Sequence, residues 1–239
     1  KADDLRALLK RDKLMRKLGK NSIHPALEAV RKQAVGTLTM ITCGGAHLSP
    51  DITEEFQSMG LTILQGYGIT ECSPLVAVNS DYCNNPESVG FVIPEMDVKI
   101  VEGEIWVRGI SVMNGYYKQE ELTREAMEDG WFKTGDLGYL DKNDYLYITG
   151  RKKDLIVFKN GKKISPEKVE EQLRTIPLIK EVMVYGAASG TTADDVTLAA
   201  TIYPNPELSA GLSSYEVLEQ LQKAVDQINA DLPPYQQIQ

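Results

Sequence analysis

Histidine and cysteine are scarce: two histidines and three cysteines in a chain of 239 residues. His24 and His47 lie in no supporting motif, which leaves a Ser-His-Asp centre little to build on. With Cys43, Cys72 and Cys83 scattered and unpaired in spacing, a zinc site has no ligand set. Reduced thiols and a cytoplasmic setting are the expectation. Positive charge is the minority sign, 26 Lys and Arg against 34 Asp and Glu, for a net charge of −8. That balance argues against a general nucleic-acid binder, which would usually show a basic stripe. It also gives no strong attraction to anionic membranes, so only peripheral membrane contact stays open. No stretch approaches the ~18–20 continuous apolar residues of a membrane-spanning helix. The opening, KADDLRALLKRDKLMRKLGK, is charged throughout, unlike a signal peptide, and Lys1 in place of Met suggests a piece of a longer protein.

What remains is ordinary globular material. Hydrophobic residues make up 42 %, enough for a packed core, and the length suits one large domain or two modest ones. Residues 3–18 read as an amphipathic helix packing through Leu5, Leu8, Leu9, Leu14, Met15 and Leu18. A short helix follows His24–Pro25. TLTMITC, 37–43, reads as a buried strand ending at Gly44–Gly45. Ser49–Pro50 opens a helix that runs to about Met59 and stops at Gly60, and a strand at 61–65 follows. Strand, glycine turn, helix, strand is a βαβ unit, hence part of a parallel sheet. From about residue 90 to 149, VKIV, EIWVRG, WFKTGDLGYLD and DYLYITG read as a small antiparallel β subdomain. After a junction at GRKKD, 150–154, residues 150–239 read as a compact α+β unit. Its elements are a helix opened by Ser165–Pro166, strands near 178–187 and 195–203, and a helix near 213–230. The fold class is α/β: the end of a large α/β domain, 1–149, followed by a small α+β domain.

Three stretches carry candidate chemistry. Open α/β sheets present ligands at the carboxyl ends of their strands, where Gly44–Gly45 and Gly66–Tyr67–Gly68 fall. In GYGITECSP, 66–74, glycines admit a flat ligand close to the backbone and Tyr67 offers a ring for stacking a base. Thr70 can bond a phosphate oxygen, and Glu71 can hold Mg²⁺ shared with phosphates. Taken alone, the stretch reads at least as well as a turn, with Thr70 a helix cap and Glu71 an exposed first-turn acid. In GWFKTGDLG, 130–138, Asp136 is presented from a glycine-flanked turn and suits a ribose diol, although a plain turn aspartate is an equal reading. In GRKKDLIVFKNGKKISPE, 150–167, Lys159, Lys162 and Lys163 fit a solvated hairpin, whereas Arg151 follows the candidate ribose loop closely in sequence.

Together with GGAHLSP upstream, these stretches resemble the adenylate-forming superfamily, in the family's order and over nearly the whole chain. GYGITECSP and MNGYYKQEELT look most like bacterial long-chain fatty acid–CoA ligases. The resemblance implies that Tyr67, between Gly66 and Gly68, stacks on adenine, that Thr70 contacts the α-phosphate and that Glu71 holds Mg²⁺. It implies that Gly44, Gly45 and Ala46 line the adenine and acyl pockets, with Ile148 beside the nucleotide. Asp136 would bind the ribose hydroxyls and Arg151 ribose or phosphate. Lys153 would be the hinge of the small domain, and Asn160–Gly161 would line the CoA thiol tunnel. The implied substrates are a fatty acid, ATP and CoA, with room for a homodimer.

Two family elements are not found. No Ser/Thr/Gly-rich, lysine-containing phosphate loop precedes Thr37, and no PKTxxGK-type lysine sequence follows DLPPYQQI. The expectation is therefore an internal fragment, inactive alone or limited to binding AMP, with apolar surface that favours self-association. A ligase that loads a carrier protein, and a nucleotide-binding module without catalysis, are the competing readings.

Overall fold

The computed structural model describes residues 2–20, 23–188 and 196–239. The chain divides into two compact units, Lys1–Ile148 and Thr149–Gln239.

The first unit begins with α1, Ala2–Lys17, and α2, Pro25–Val35. α2 starts where expected: the His24 ring accepts from the Ala26 amide and Pro25 occupies the first turn. β1, Met40–Cys43, is followed by α3, Pro50–Ser58, and β2, Thr62–Gly68, and β1 and β2 pair in parallel from Met40 opposite Thr62 to Cys43 opposite Gln65. The βαβ order is as expected, but the first strand is not the buried strand read over 37–43: β1 is shorter, and Met40 and Ile41 are exposed with only Cys43 half-buried. α1 departs from its reading at two of the six named positions: Leu5, Leu8, Leu9 and Met15 are half-buried, but Leu14 and Leu18 are 60 % and 68 % exposed. Its contact with α3 includes ion pairs: Lys13 lies 2.5 Å from Asp51 and 2.6 Å from Glu54, and Arg16 donates to the Gln57 carbonyl. A helix advances 100° per residue, so a face centred on Asp12, Lys13 and Arg16 turns Leu14 and Leu18 away.

Past β2 come β3, Leu75–Val78, and β4, Phe91–Val92, which complete a mixed sheet in the order β1-β2-β3-β4. Gly66–Tyr67–Gly68 is thus not a turn after a strand at 61–65 but the last three residues of β2, paired antiparallel with β3. The glycines serve close approach. A Cβ on Gly66 would stand 3.2 Å from the Ala77 carbonyl oxygen, and one on Gly68 only 2.3 Å from that of Pro74.

The second sheet of this unit contains β5, Met96–Val101, and β6, Glu104–Gly109. After α4, Glu120–Ala126, it gains β7, Met127–Glu128, β8, Trp131–Leu140, and β9, Leu146–Arg151. The order is β5-β6-β8-β7, with β9 on β8. Ile105, Val107 and Leu146 are fully buried, and Phe132 nearly so. They form one cluster with Tyr67, Cys72, Val76 and Ala77, and each large apolar side chain so buried stabilises by ~1.5–3 kcal/mol.

In the second unit, β10, Ile156–Val157, and β11, Lys163–Ile164, form a hairpin. α5, Pro166–Leu173, follows. β12, Ile179–Ala188, then pairs antiparallel with β13, Val196–Pro204; position 195, the expected start of that strand, lies outside the described residues. α6, Pro206–Ser209, and α7, Ser214–Asp231, complete it. α7 starts on a capping box in which Ser213 and Glu216 satisfy each other's backbone amides. Val169, Leu173, Val182, Val184, Leu198 and Val225 form the centre of this unit's own core.

Candidate functional site

The carboxyl ends of β1 and β2 converge. A Cβ on Gly44 would lie 3.1 Å from the Gly66 carbonyl oxygen, a tight contact that would push the two strand ends a few tenths of an ångström apart. Gly44, Gly45 and Ala46 are exposed there. Beyond Gly68 the chain closes a tight loop, the Ile69 amide donating to the Pro74 carbonyl at 2.8 Å. Inside it, Thr70–Cys72 form one 3₁₀ turn, and Ser73 takes left-handed backbone with φ +59°. Cys72 is fully buried and pins the turn to the core. Thr70 is thereby left exposed and Glu71 half-buried. Burial, and secondarily the charge of Glu71, pushes the Cys72 thiol up to about 11.

Tyr67 points its ring into the cluster and its hydroxyl at the other motif. The phenol donates to Asp136 Oδ2 at 2.6 Å, across 69 residues of sequence. Both side chains are buried, at 8 % and 3 % exposure. Burial, then the negative charge of Asp136 and the hydrogen bond to it, hold the Tyr67 phenol well above its ordinary value.

Asp136 does not stand in a turn. It lies inside β8 at a bulge, where the register moves from Lys133 opposite Trp106 to Leu137 opposite Glu104. Thr134, Gly135 and Asp136 therefore face Ile105 alone. The surplus is accommodated by Gly135 at φ +74° and by side chains that replace the ladder. The Thr134 hydroxyl donates to the Ile105 carbonyl at 2.7 Å and accepts from the Asp136 amide at 3.0 Å. Glu104 Oε1 accepts from the Gly135 amide at 3.0 Å. Bulges re-aim side chains in this way.

Glu71 is held as well. Tyr116 donates its hydroxyl to Glu71 Oε1 at 2.9 Å, and the Glu71 carbonyl accepts from the Met113 amide at 2.7 Å. Ile148 packs against the Tyr67 cluster. Arg151, Lys153, Asn160 and Gly161 belong to the second unit. Arg151 ends β9, the strand within which the boundary between the units falls, Lys153 is exposed, and Asn160–Gly161 form the β10–β11 turn. There the Asn160 side chain accepts from the Lys162 amide and Gly161 has φ +76°. The first unit therefore gathers Gly44, Gly66, Tyr67 and Asp136 by direct contact, with Thr70 and Glu71 on the adjoining loop.

Sequence reasoning missed Glu104, Thr134 and Tyr116. A carboxylate at the head of the apolar strand EIWV was a usable sign for Glu104. Tyr116 had no local one, because its partner lies 45 positions away.

The donor set fits one Mg²⁺ shared with phosphates. Glu71 supplies a single carboxylate, and among the described residues no three His, Cys, Asp or Glu converge as a protein-only cage. Mg²⁺ characteristically takes one or two carboxylates and completes its shell with phosphate and water oxygens.

A strand-end glycine floor, a buried tyrosine bonded to a buried acid, and a Thr-Glu loop beside them lie together in the first unit. By comparison with known families, residues 11–117 match the AMP-binding enzyme family and residues 153–239 the AMP-binding enzyme C-terminal domain. The chain belongs to the AMP-binding, adenylate-forming enzymes. It is 42 % identical over 154 residues to the long-chain-fatty-acid–CoA ligase FadD15 of Mycobacterium bovis, covering 64 % of this chain and 26 % of that protein. With the long-chain-fatty-acid–CoA ligase of Escherichia coli O157:H7 it shares 33 % over 168 residues, 65 % of this chain and 30 % of that one. The chain thus spans under a third of the length of these curated relatives. In three dimensions it resembles the O-succinylbenzoate coenzyme A synthetase of Bacillus subtilis in complex with ATP and magnesium ion. The TM-score is 0.71 at 26 % identity, covering 91 % of this chain and 46 % of that structure.

Proposed function

We propose that this chain supplies the nucleotide floor and the small C-terminal domain of an AMP-forming fatty acid–CoA ligase. The supporting relatives are ligases of long-chain fatty acids by name, and the similar solved structure is a coenzyme A synthetase holding ATP and magnesium ion. The observation that carries the reading is the 2.6 Å hydrogen bond between Tyr67 and Asp136, which brings two distant motifs to one place. In the reaction a fatty carboxylate attacks the α-phosphorus of ATP, and the bond to pyrophosphate breaks. The CoA thiol then attacks the acyl carbonyl of the adenylate, and AMP leaves.

Each residue has a bounded task. The Tyr67 ring, fixed at its hydroxyl and in the core, gives adenine a rigid platform, and base stacking of this kind contributes ~1–3 kcal/mol. Asp136 accepts from the ribose hydroxyls. The exposed Thr70 donates to an α-phosphate oxygen. Gly44, Gly45 and Ala46 let the ligand lie against the backbone. Glu71 would hold Mg²⁺, whose charge would offset that of the phosphates. In the second unit, Arg151 reaches ribose or phosphate, Lys153 is the pivot for domain rotation between the half-reactions, and Asn160–Gly161 line the thiol path. Free thiols at Cys43, Cys72 and Cys83 support a reducing, cytoplasmic setting.

Calorimetric titration of the chain with AMP and with a non-hydrolysable acyl-adenylate mimic tests this. Binding is expected in the wild type, weakened roughly tenfold or more in Asp136→Ala, the effect of losing a charged hydrogen-bond acceptor. Silence in the wild type, or equal affinity in the variant, refutes the assignment.

A further inference from the structure

We propose that Tyr116 is a positioning residue for the Mg²⁺·ATP complex, acting through Glu71; this rests on the nucleotide-site reading above. Glu71 sits on a one-turn loop between two strands, and a glutamate there has three rotatable side-chain bonds. Two contacts outside the loop fix it. The Met113 amide holds its backbone carbonyl at 2.7 Å, and the Tyr116 phenol holds Oε1 at 2.9 Å. Tyr116 is itself held, since its amide donates to Thr123 Oγ1 at 2.9 Å and that hydroxyl donates to the Gln119 carbonyl, also at 2.9 Å. The chain of bonds runs from the start of α4 through Thr123 and Tyr116 to one oxygen of Glu71.

The backbone between these anchors is also constrained. Gly115 lies at φ +145°, and a Cβ there would meet the Thr123 side chain at 2.6 Å. Segment 113–116 therefore folds tightly against α4 with the phenol directed at the acid. The consequence concerns geometry. With Oε1 committed to the phenol, Oε2 is left for a cation in one orientation. Hydrogen bonds that orient metal-ligating carboxylates in this way typically change metal affinity by ~10–100-fold when removed.

The test uses the full-length protein and measures binding instead of turnover. A non-hydrolysable ATP analogue is titrated calorimetrically at a series of MgCl₂ concentrations, and AMP is titrated without Mg²⁺. Tyr116→Phe keeps the ring and should raise the Mg²⁺ concentration for half-maximal analogue binding about tenfold, with Mg²⁺-free AMP affinity within twofold of wild type. Thr123→Val, nearly isosteric, should move the Mg²⁺ requirement the same way by a smaller factor, which keeps the question open to refutation if Tyr116→Phe folds poorly. An unchanged Mg²⁺ requirement in both variants overturns the proposal, and so does an equal loss of AMP and Mg²⁺·analogue binding, the mark of a purely structural residue. A wild type that binds neither nucleotide defeats the nucleotide-site reading itself, a result distinct from either.

Discussion

Replacing Tyr67 by Phe removes one oxygen and leaves the ring in place. The oxygen removed is the donor of the 2.6 Å bond to Asp136, in a spot where both side chains are less than a tenth exposed. A hydrogen bond to a buried charged acceptor contributes ~1.5–3 kcal/mol. A loss of about 2 kcal/mol in a domain of ~150–250 residues lowers Tm by about 4–8 °C. The pH dependence is more discriminating than the size. A phenol in an unfolded chain loses its proton near pH ~10. In the folded chain burial and the charge of Asp136 hold the Tyr67 proton on well above that. Above pH ~10 the unfolded state therefore binds fewer protons than the folded one, and stability falls as pH rises, by at most ~1.4 kcal/mol per pH unit for this group. Tyr67→Phe lacks this titration. The two proteins should differ by the full amount at pH ~8 and converge by about pH 11–12. Tyr116 and Tyr147, whose phenols are also raised, are common to both proteins and cancel in the difference. Circular-dichroism melts of wild type and variant across this range are the assay. A gap that stays constant with pH, or a variant as stable as wild type near neutrality, refutes the reasoning.

Other expectations are simpler to read. Cys72, fully buried and with its thiol pushed up to about 11, should resist iodoacetamide at pH ~8 while exposed Cys83 is alkylated first; peptide mapping that finds Cys72 labelled in the folded chain contradicts this. Gly68→Ala places a methyl 2.3 Å from the Pro74 carbonyl oxygen, a backbone atom that cannot swing aside. It should cost ~1–3 kcal/mol, in the range of overpacking, with the loss visible in urea midpoints and in AMP affinity together. In the full-length protein, Lys153→Pro should spare adenylate formation, measured by pyrophosphate exchange, and depress thioester formation by stiffening the pivot; equal loss of both half-reactions removes Lys153 from that role.

The elements that local chemistry decides were legible in the sequence. His24–Pro25 and Ser49–Pro50 open α2 and α3, Gly60 follows the end of α3, and the parallel pairing of β1 with β2 follows from strand, helix, strand. Features that depend on a partner strand were not. Gly66 and Gly68 carry the signature of a turn, and only the nearness of Ala77 and Pro74 shows why a strand needs them. Asp136 between Gly135 and Gly138 looks like turn chemistry until Glu104 and Ile105 are opposite it and the extra residues become a bulge. Leu14 and Leu18 fit the apolar pattern read for residues 3–18 and still face outward, opposite the side of half-buried Leu5, Leu8 and Leu9. The candidate site was legible as a set of residue types. The bonds that hold its two acids were not, since each phenol lies dozens of positions from the acid it serves.

The bulge in β8 has a thermodynamic corollary. Because Thr134 and Glu104 already hold the backbone around Asp136 and Tyr67 holds its carboxylate, the acid in its proposed role needs no loop to freeze when nucleotide binds. That spares the ordering penalty that a flexible recognition segment incurs on association. If Asp136 takes the proposed role, ligand-free protein should therefore present the acid as nucleotide-bound protein does, ready-made and at rest.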